Sequence, residues 1–344
     1  MNFTSQGNQL DKRASWADRC RVVAIFGVVL IHACGAAALY QYGKIPQMDW
    51  LSANFLDSLV RCSVPLFVML SGALLLKPGE TPVTIRQIAR RVNKVLFPLL
   101  TWNVAYLLYV SYHTGMPINW LSMLSKPPMY HLWFVYMIIG IYILLPVLQA
   151  IFDLVRDRRD MQIYLLAIWF VVTCAPTYWP IPFLALLQQS SLLGYGGYFI
   201  IGGVVASSNR NQVATLAWFL IYAFGVAVTF LLTLHFSEQA NAAVETAYTY
   251  FSPNVAITAI AAFVLFTRAR VSDHIAKYLQ WAGDKTFLVF FMHVAFIKPV
   301  SAAISIINLP MFASILLIAF FTFSISLVIA TGIRLIPGSR RIFG

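Results

Sequence analysis

An ionisable side chain inside an apolar run is expensive to keep, so each one is a candidate for function. The sequence holds such a pair in Arg21-VVAIFGVVLI-His32. On a helix, the 11 steps from Arg21 to His32 leave a net offset of roughly 20° and a rise of about 16 Å. Both side chains therefore share a face. Arg21 stands at the mouth of the segment, where a cation can hold an anionic ligand. His32 lies deep in the apolar run, where a neutral imidazole can accept a proton near neutral pH. A boundary arginine and a histidine satisfied by a neighbouring helix would give the same pattern, and spacing alone does not separate the two.

Further along, Asp57-SLV-Arg61 places an acid and a base at i, i+4, the spacing of a helical ion pair. Arg61 lies inside an apolar run that continues through Pro65, which frees a backbone carbonyl, to Ser71-Gly72, which lets helices approach closely. Arg86, Arg90 and Lys94 follow at one-turn intervals, with Arg91 beside them. They form the basic face of an amphipathic helix expected to lie on the membrane surface. Anionic lipid and a polyphosphorylated ligand both suit such a face. His131-Leu-Trp133 opens another apolar run at its outer boundary, where Trp133 fits an aromatic belt. His293 follows Thr286 on one helical face, a pattern that a satisfied core histidine would also give. The sequence has no P-loop, GxSxG or HExxH motif and no Cys/His cluster, so no metal site is expected.

The elements that must position these residues follow from composition. Of the 344 residues, 60% are hydrophobic and only 10% charged, with mean hydropathy +0.76; globular domains carry about 25% charged residues. The expected fold is all-α: a polytopic transmembrane bundle of about ten helices with no soluble domain. The spans read as 22–40, 58–76, 95–112, 130–149, 162–179, 191–207, 213–234, 253–268, 286–307 and 311–335. Residues 1–21 form an N-terminal tail, 22–335 the membrane domain and 336–344 a second tail. The first apolar run is long enough to span and no small-residue cleavage site follows it, so it reads as a helix rather than a signal peptide.

Of the 24 Lys and Arg residues, 20 fall on one side of these spans, all but Lys44, Arg61, Lys126 and Lys298. That asymmetry puts both termini of a multi-pass membrane protein on the cytoplasmic side, and a bacterial inner membrane is the expected location. The asymmetry also assigns the net charge of +12 to topology and inner-leaflet lipid, not to nucleic acid. Cys20, Cys34, Cys62 and Cys174 show no CxxC spacing and read as buried, reduced thiols. A secondary transporter of a glycan or small metabolite is the rival function, and the absence of an evident internal repeat weighs against it.

Taken in order, these motifs resemble the acyltransferase 3 family of bacterial membrane enzymes. The likeness runs from about Asp18 to the tenth helix. It rests on Asp18, Arg21 and His32, on the run from Arg61 to Gly72, on Arg91 to Pro98, on His131 to Phe134 and on Thr286 to His293. Within the family the chain is most similar to the standalone subgroup that includes the enterobacterial common antigen O-acetyltransferase. Lys94 departs from the family's second basic-pair arginine, and Phe67-Val68 from its Phe-Phe. No fused hydrolase-like domain is expected, so the acyl group would pass to its acceptor directly.

The resemblance implies O-acyl transfer, usually of acetyl, from a cytoplasmic coenzyme A thioester to a hydroxyl of a lipid-linked or surface polysaccharide. No bound cofactor is implied; acetyl-CoA is the donor substrate. Arg86, Arg90, Arg91 and Lys94, with Arg21, would hold the coenzyme phosphates. His32 would be the general base or, as the lesser alternative, the acyl carrier. His293 and Ser71 would line the same passage, and Arg61, His131 and Trp133 would meet the glycan from outside.

Overall fold

With so few side chains able to face water, the backbone must satisfy its own hydrogen bonds, and a helix does so within one segment. The computed structural model describes residues 3–79, 81–120, 126–184, 191–208, 213–269 and 272–344. Among these, all regular structure is helical. Eight stretches are long and apolar enough to cross a membrane: Trp16–Gln41, Gln47–Leu75, Ile85–Thr114, Arg159–Thr177, Thr215–Ala240, Thr246–Arg268, Thr286–Ser305 and Met311–Arg334. Tyr130–Ile143 and Leu145–Val155 make a further span bent by 66°, and Leu192–Ser207 is a shorter apolar helix. Each segment expected from the sequence thus has its counterpart, in order. Arg210 and Arg270, both counted in the charge asymmetry, lie outside the described residues.

The helices are α1 (Phe3–Ala37), α2 (Gln47–Val60), α3 (Ser63–Leu75), α4 (Ile85–Thr114), α5 (Trp133–Ile143), α6 (Leu145–Val155) and α7 (Arg159–Trp169). They continue as α8 (Ser191–Ser207), α9 (Thr215–Ala240), α10 (Pro253–Arg268), α11 (Asp273–Gly283), α12 (Thr286–Ser305), α13 (Met311–Arg334) and α14 (Ser339–Ile342). Helix α1 is the hub, touching α2, α3, α10, α11, α12 and α13. Helices α3 and α8 run in close contact because each offers a glycine to the other's backbone. A Cβ on Gly72 would strike the Phe199 carbonyl at 1.8 Å, and one on Gly202 the Met69 carbonyl at 1.9 Å. All four cysteines are buried and unpaired.

Two local features depart from the sequence reading, and both shape the site. The basic stretch is not a separate helix lying on the membrane. It forms the opening turns of α4, started by a capping box in which Gln87 N–H donates to the Thr84 hydroxyl. Pro98 sits inside α4 without ending it. The 30 residues of α4 span about 45 Å, more than the roughly 30 Å hydrocarbon core, so its first turns project. The fourth span, meanwhile, breaks between α5 and α6 at Leu144, just before Pro146, which has no N–H to continue the ladder.

Candidate active site

Three of the histidines expected to matter converge. The His32 ring stacks on that of His293, with centroids 5.3 Å apart and planes 25° from parallel. His131 meets His293 edge-on at 5.2 Å, and Tyr130 meets His32 at 5.0 Å. The sequence put His131 at the outer boundary. The structure buries its side chain at 2% exposure beside His293, because His131 and Leu132 of the turn before α5 point into the bundle while Tyr130 stays exposed.

Backbone carbonyls fix two of these rings. The Phe290 carbonyl lies 2.7 Å from His293 Nδ1, so that nitrogen carries the proton and donates. His293 Nε2 is then a buried lone pair with no hydrogen-bond partner. His131 Nε2 faces the Phe291 carbonyl at 3.4 Å, which leaves its Nδ1 unpartnered in the same way. His32 differs. It is only half-buried and its described contacts are with rings.

Two cavities lie toward the end of the bundle that holds Arg21; none of the three histidines lines either, and the inner one reaches them only through the Phe290 ring. The inner one, about 410 Å³, is lined by Arg21, Ser71, Lys94, Tyr142, Thr286 and Phe290 among others. The Arg21 guanidinium is pinned there by Asp18 at 2.6 Å, and the Ser71 hydroxyl donates to the Phe67 carbonyl at 2.9 Å. The outer cavity, about 810 Å³, is lined by Arg86, Arg90, Lys94, Asp284, Arg334, Arg340 and Arg341. Lys94 lines both, so the cavities adjoin at its side chain. Arg91 is half-buried and lines neither. At the rim, burial pulls the Lys285 ammonium below the ordinary lysine value, against the opposing pull of Asp284.

On the other side of the cluster, Arg61 is held where the sequence expected it. Its Nη1 lies 3.3 Å from Asp57 Oδ1 and its Nε donates to the Tyr248 carbonyl at 2.8 Å. Its guanidinium lies 4.8 Å from the Tyr248 ring centroid and 5.2 Å from that of Tyr250. Trp133 stacks on the same Tyr250 ring, centroids 5.9 Å apart. Arg61 and Trp133 thus join one aromatic wall through a residue distant from both in sequence.

Comparison with known proteins decides what this bundle is. The acyltransferase domain model Acyl_transf_3 matches residues 15–331. The chain belongs to that acyltransferase family. No curated protein and no solved structure gives a significant match. Family membership supports membrane acyltransferase activity, and the matched region contains every histidine named above and, of the cavity-lining arginines, all but Arg334, Arg340 and Arg341.

Several site residues of this acyltransferase escaped the sequence reading. Phe67, Phe134 and Phe290 form a collar where the inner cavity approaches the histidines, with Phe134 5.5 Å from Phe290 and 6.0 Å from Phe67. Phe290 in turn lies 5.5 Å from His131 and 6.0 Å from His293. Signals were available: all three phenylalanines fall within the runs that carry the family resemblance, and Phe290 lies one turn beyond Thr286 and one before His293, on the face the two already share. Tyr248 and Tyr250 gave no such signal.

Proposed function

We propose that the chain is an O-acyltransferase of the bacterial inner membrane, of the standalone enterobacterial common antigen O-acetyltransferase type. It moves an acetyl group from cytoplasmic acetyl-CoA to a hydroxyl of a lipid-linked or surface polysaccharide. Family membership supports acyl transfer. The observation that carries the finer reading is the meeting of His32, His131 and His293 beyond adjoining cavities that begin among arginines. The basic end is the cytoplasmic face in this reading, with both termini on that side.

Arg86, Arg90 and Lys94 hold the coenzyme phosphates in the outer cavity, and Arg21 guards the entrance of the inner one. The thioester arm runs past Ser71 to the collar. His32 is the general base. Its imidazole takes the proton of the acceptor hydroxyl while the hydroxyl oxygen bonds to the thioester carbonyl carbon. The C–S bond then breaks, and the coenzyme leaves as a thiol after the imidazolium returns the proton to sulfur. His32 is better suited than His293 because it is only half-buried, whereas His293 is fully buried. Arg61, Tyr250 and Trp133 offer a cation and aromatic faces to the sugar.

The test is transfer by purified protein in nanodiscs, given acetyl-CoA and a lipid-linked glycan. One acetyl ester should appear on the glycan for each coenzyme A released, read by mass spectrometry. Glycan movement that needs no acyl-CoA, with no coenzyme release, would overturn the reading.

A further inference from the structure

Arg334 ends α13, and Arg340 and Arg341 sit on α14, remote in sequence from α4, yet they line the cavity that Arg86, Arg90 and Lys94 line from the other side. The return is built into the chain. Gly338 takes the left-handed conformation, φ 78°, that turns the backbone after α13. The Trp102 indole then donates to the Phe343 carbonyl at 3.1 Å, and the Arg341 guanidinium lies 5.3 Å from the Phe97 ring centroid. Both Trp102 and Phe97 belong to α4, so the last turn is fastened to the helix that carries the other basic wall.

The charges inside do not balance. Six cationic side chains line the cavity with one acidic side chain, Asp284. That residue is shared: Arg340 Nη2 lies 2.8 Å from Asp284 Oδ2, and Arg334 Nη2 donates to the Asp284 carbonyl at 3.0 Å. Arg334 Nε reaches the Asp284 carboxylate only at 3.9 Å, and its Nη1 is left without a hydrogen-bond partner although the side chain is only 12% exposed. A guanidinium donor so enclosed is costly unless an anion meets it. A cavity of about 810 Å³, walled by cations on two sides, suits a ligand with several phosphates on one small frame. A lipid phosphodiester brings a single charge and has open surface to choose from.

We propose that Arg334, Arg340 and Arg341 are a second, unrecognised half of the donor site and read the ribose 3′-phosphate of coenzyme A. The proposal rests on the coenzyme A reading above. If the acyl arm enters the inner cavity past Lys94, the diphosphate lies along Lys94, Arg90 and Arg86, which follow one another at single-turn steps on α4. The 3′-phosphate projects from the opposite side of the ribose, toward the other wall.

The experiment measures equilibrium binding of coenzyme A and of 3′-dephospho-coenzyme A to the full chain in zwitterionic nanodiscs. Parent, Arg340→Gln/Arg341→Gln, Arg90→Gln and the charge-keeping Arg340→Lys/Arg341→Lys are compared. The parent should favour coenzyme A by about tenfold or more, the effect of a lost charge-assisted bond. The Gln pair should lose most of that preference while its hold on the dephospho ligand changes less than about threefold. Arg90→Gln should weaken both ligands, and the Lys pair should keep most of the preference. A Gln pair that keeps the parent's preference, or loses both ligands equally, overturns the assignment. Loss only of retained phosphatidylglycerol, with coenzyme binding intact, would make this a lipid site and overturn it too. A parent that binds neither ligand would sink the coenzyme A reading itself.

Discussion

Arg340, at the basic end of the bundle, leaves 73% of its side chain exposed, whereas His293, beside the other two histidines, leaves none. Apart from Arg334, which ends α13 and is largely enclosed, the arginines of the outer cavity sit on the first turns of α4 and on α14, where water and salt reach them. The histidines sit among aromatic rings, two of them fixed by backbone carbonyls. Exposed charges are screened and partly replace one another. A buried nitrogen aimed by the backbone has no substitute. The first region is built to hold a ligand, the second to hold one geometry, and loss of a side chain should reveal which is which.

The largest effect should come from His32→Ala. General-base catalysis contributes about 10²–10⁴-fold, so turnover should fall by at least the lower figure while donor affinity persists. His293→Ala should cost less, about ten- to hundredfold, by letting the stacked His32 ring shift. Kinetics on both variants decide between them: near-normal turnover in the first and none in the second would exchange their roles. Arg90→Ala should weaken donor binding about tenfold and flatten its dependence on salt, with turnover at saturating donor unchanged. A turnover defect that saturating donor does not rescue would erase the contrast between the two regions. The smallest effect should be that of Arg91→Ala, under about threefold on donor affinity, because Arg91 lines neither cavity. A loss equal to that of Arg90→Ala would restore the phosphate-holding role that the family pattern implies for it.

What the sequence made legible was local. The common face of Arg21 and His32, the i, i+4 pair of Asp57 and Arg61, and the alignment of Thr286 with His293 all follow from helical pitch, and each is kept. Relations made by packing were not legible. His131 reads as a boundary residue until the bent α5–α6 span and the turn before it bring its ring to His293. Arg334, Arg340 and Arg341 read as topology signals until Gly338 turns the chain back onto α4. The basic face of α4 has the periodicity of a surface helix whether it lies flat or continues into a span, and only the continuous helix through Pro98 separates the two.

The central claim is that the donor is held among the arginines and reacts at His32. Single-turnover acetyl transfer from pre-bound acetyl-CoA, measured on parent and His32→Ala in the same nanodiscs, isolates the chemical step from binding. Donor occupancy should be equal, and the rate should be lower by about 10² or more in the variant. Equal rates at equal occupancy would contradict it, and the base would have to be sought elsewhere in the bundle.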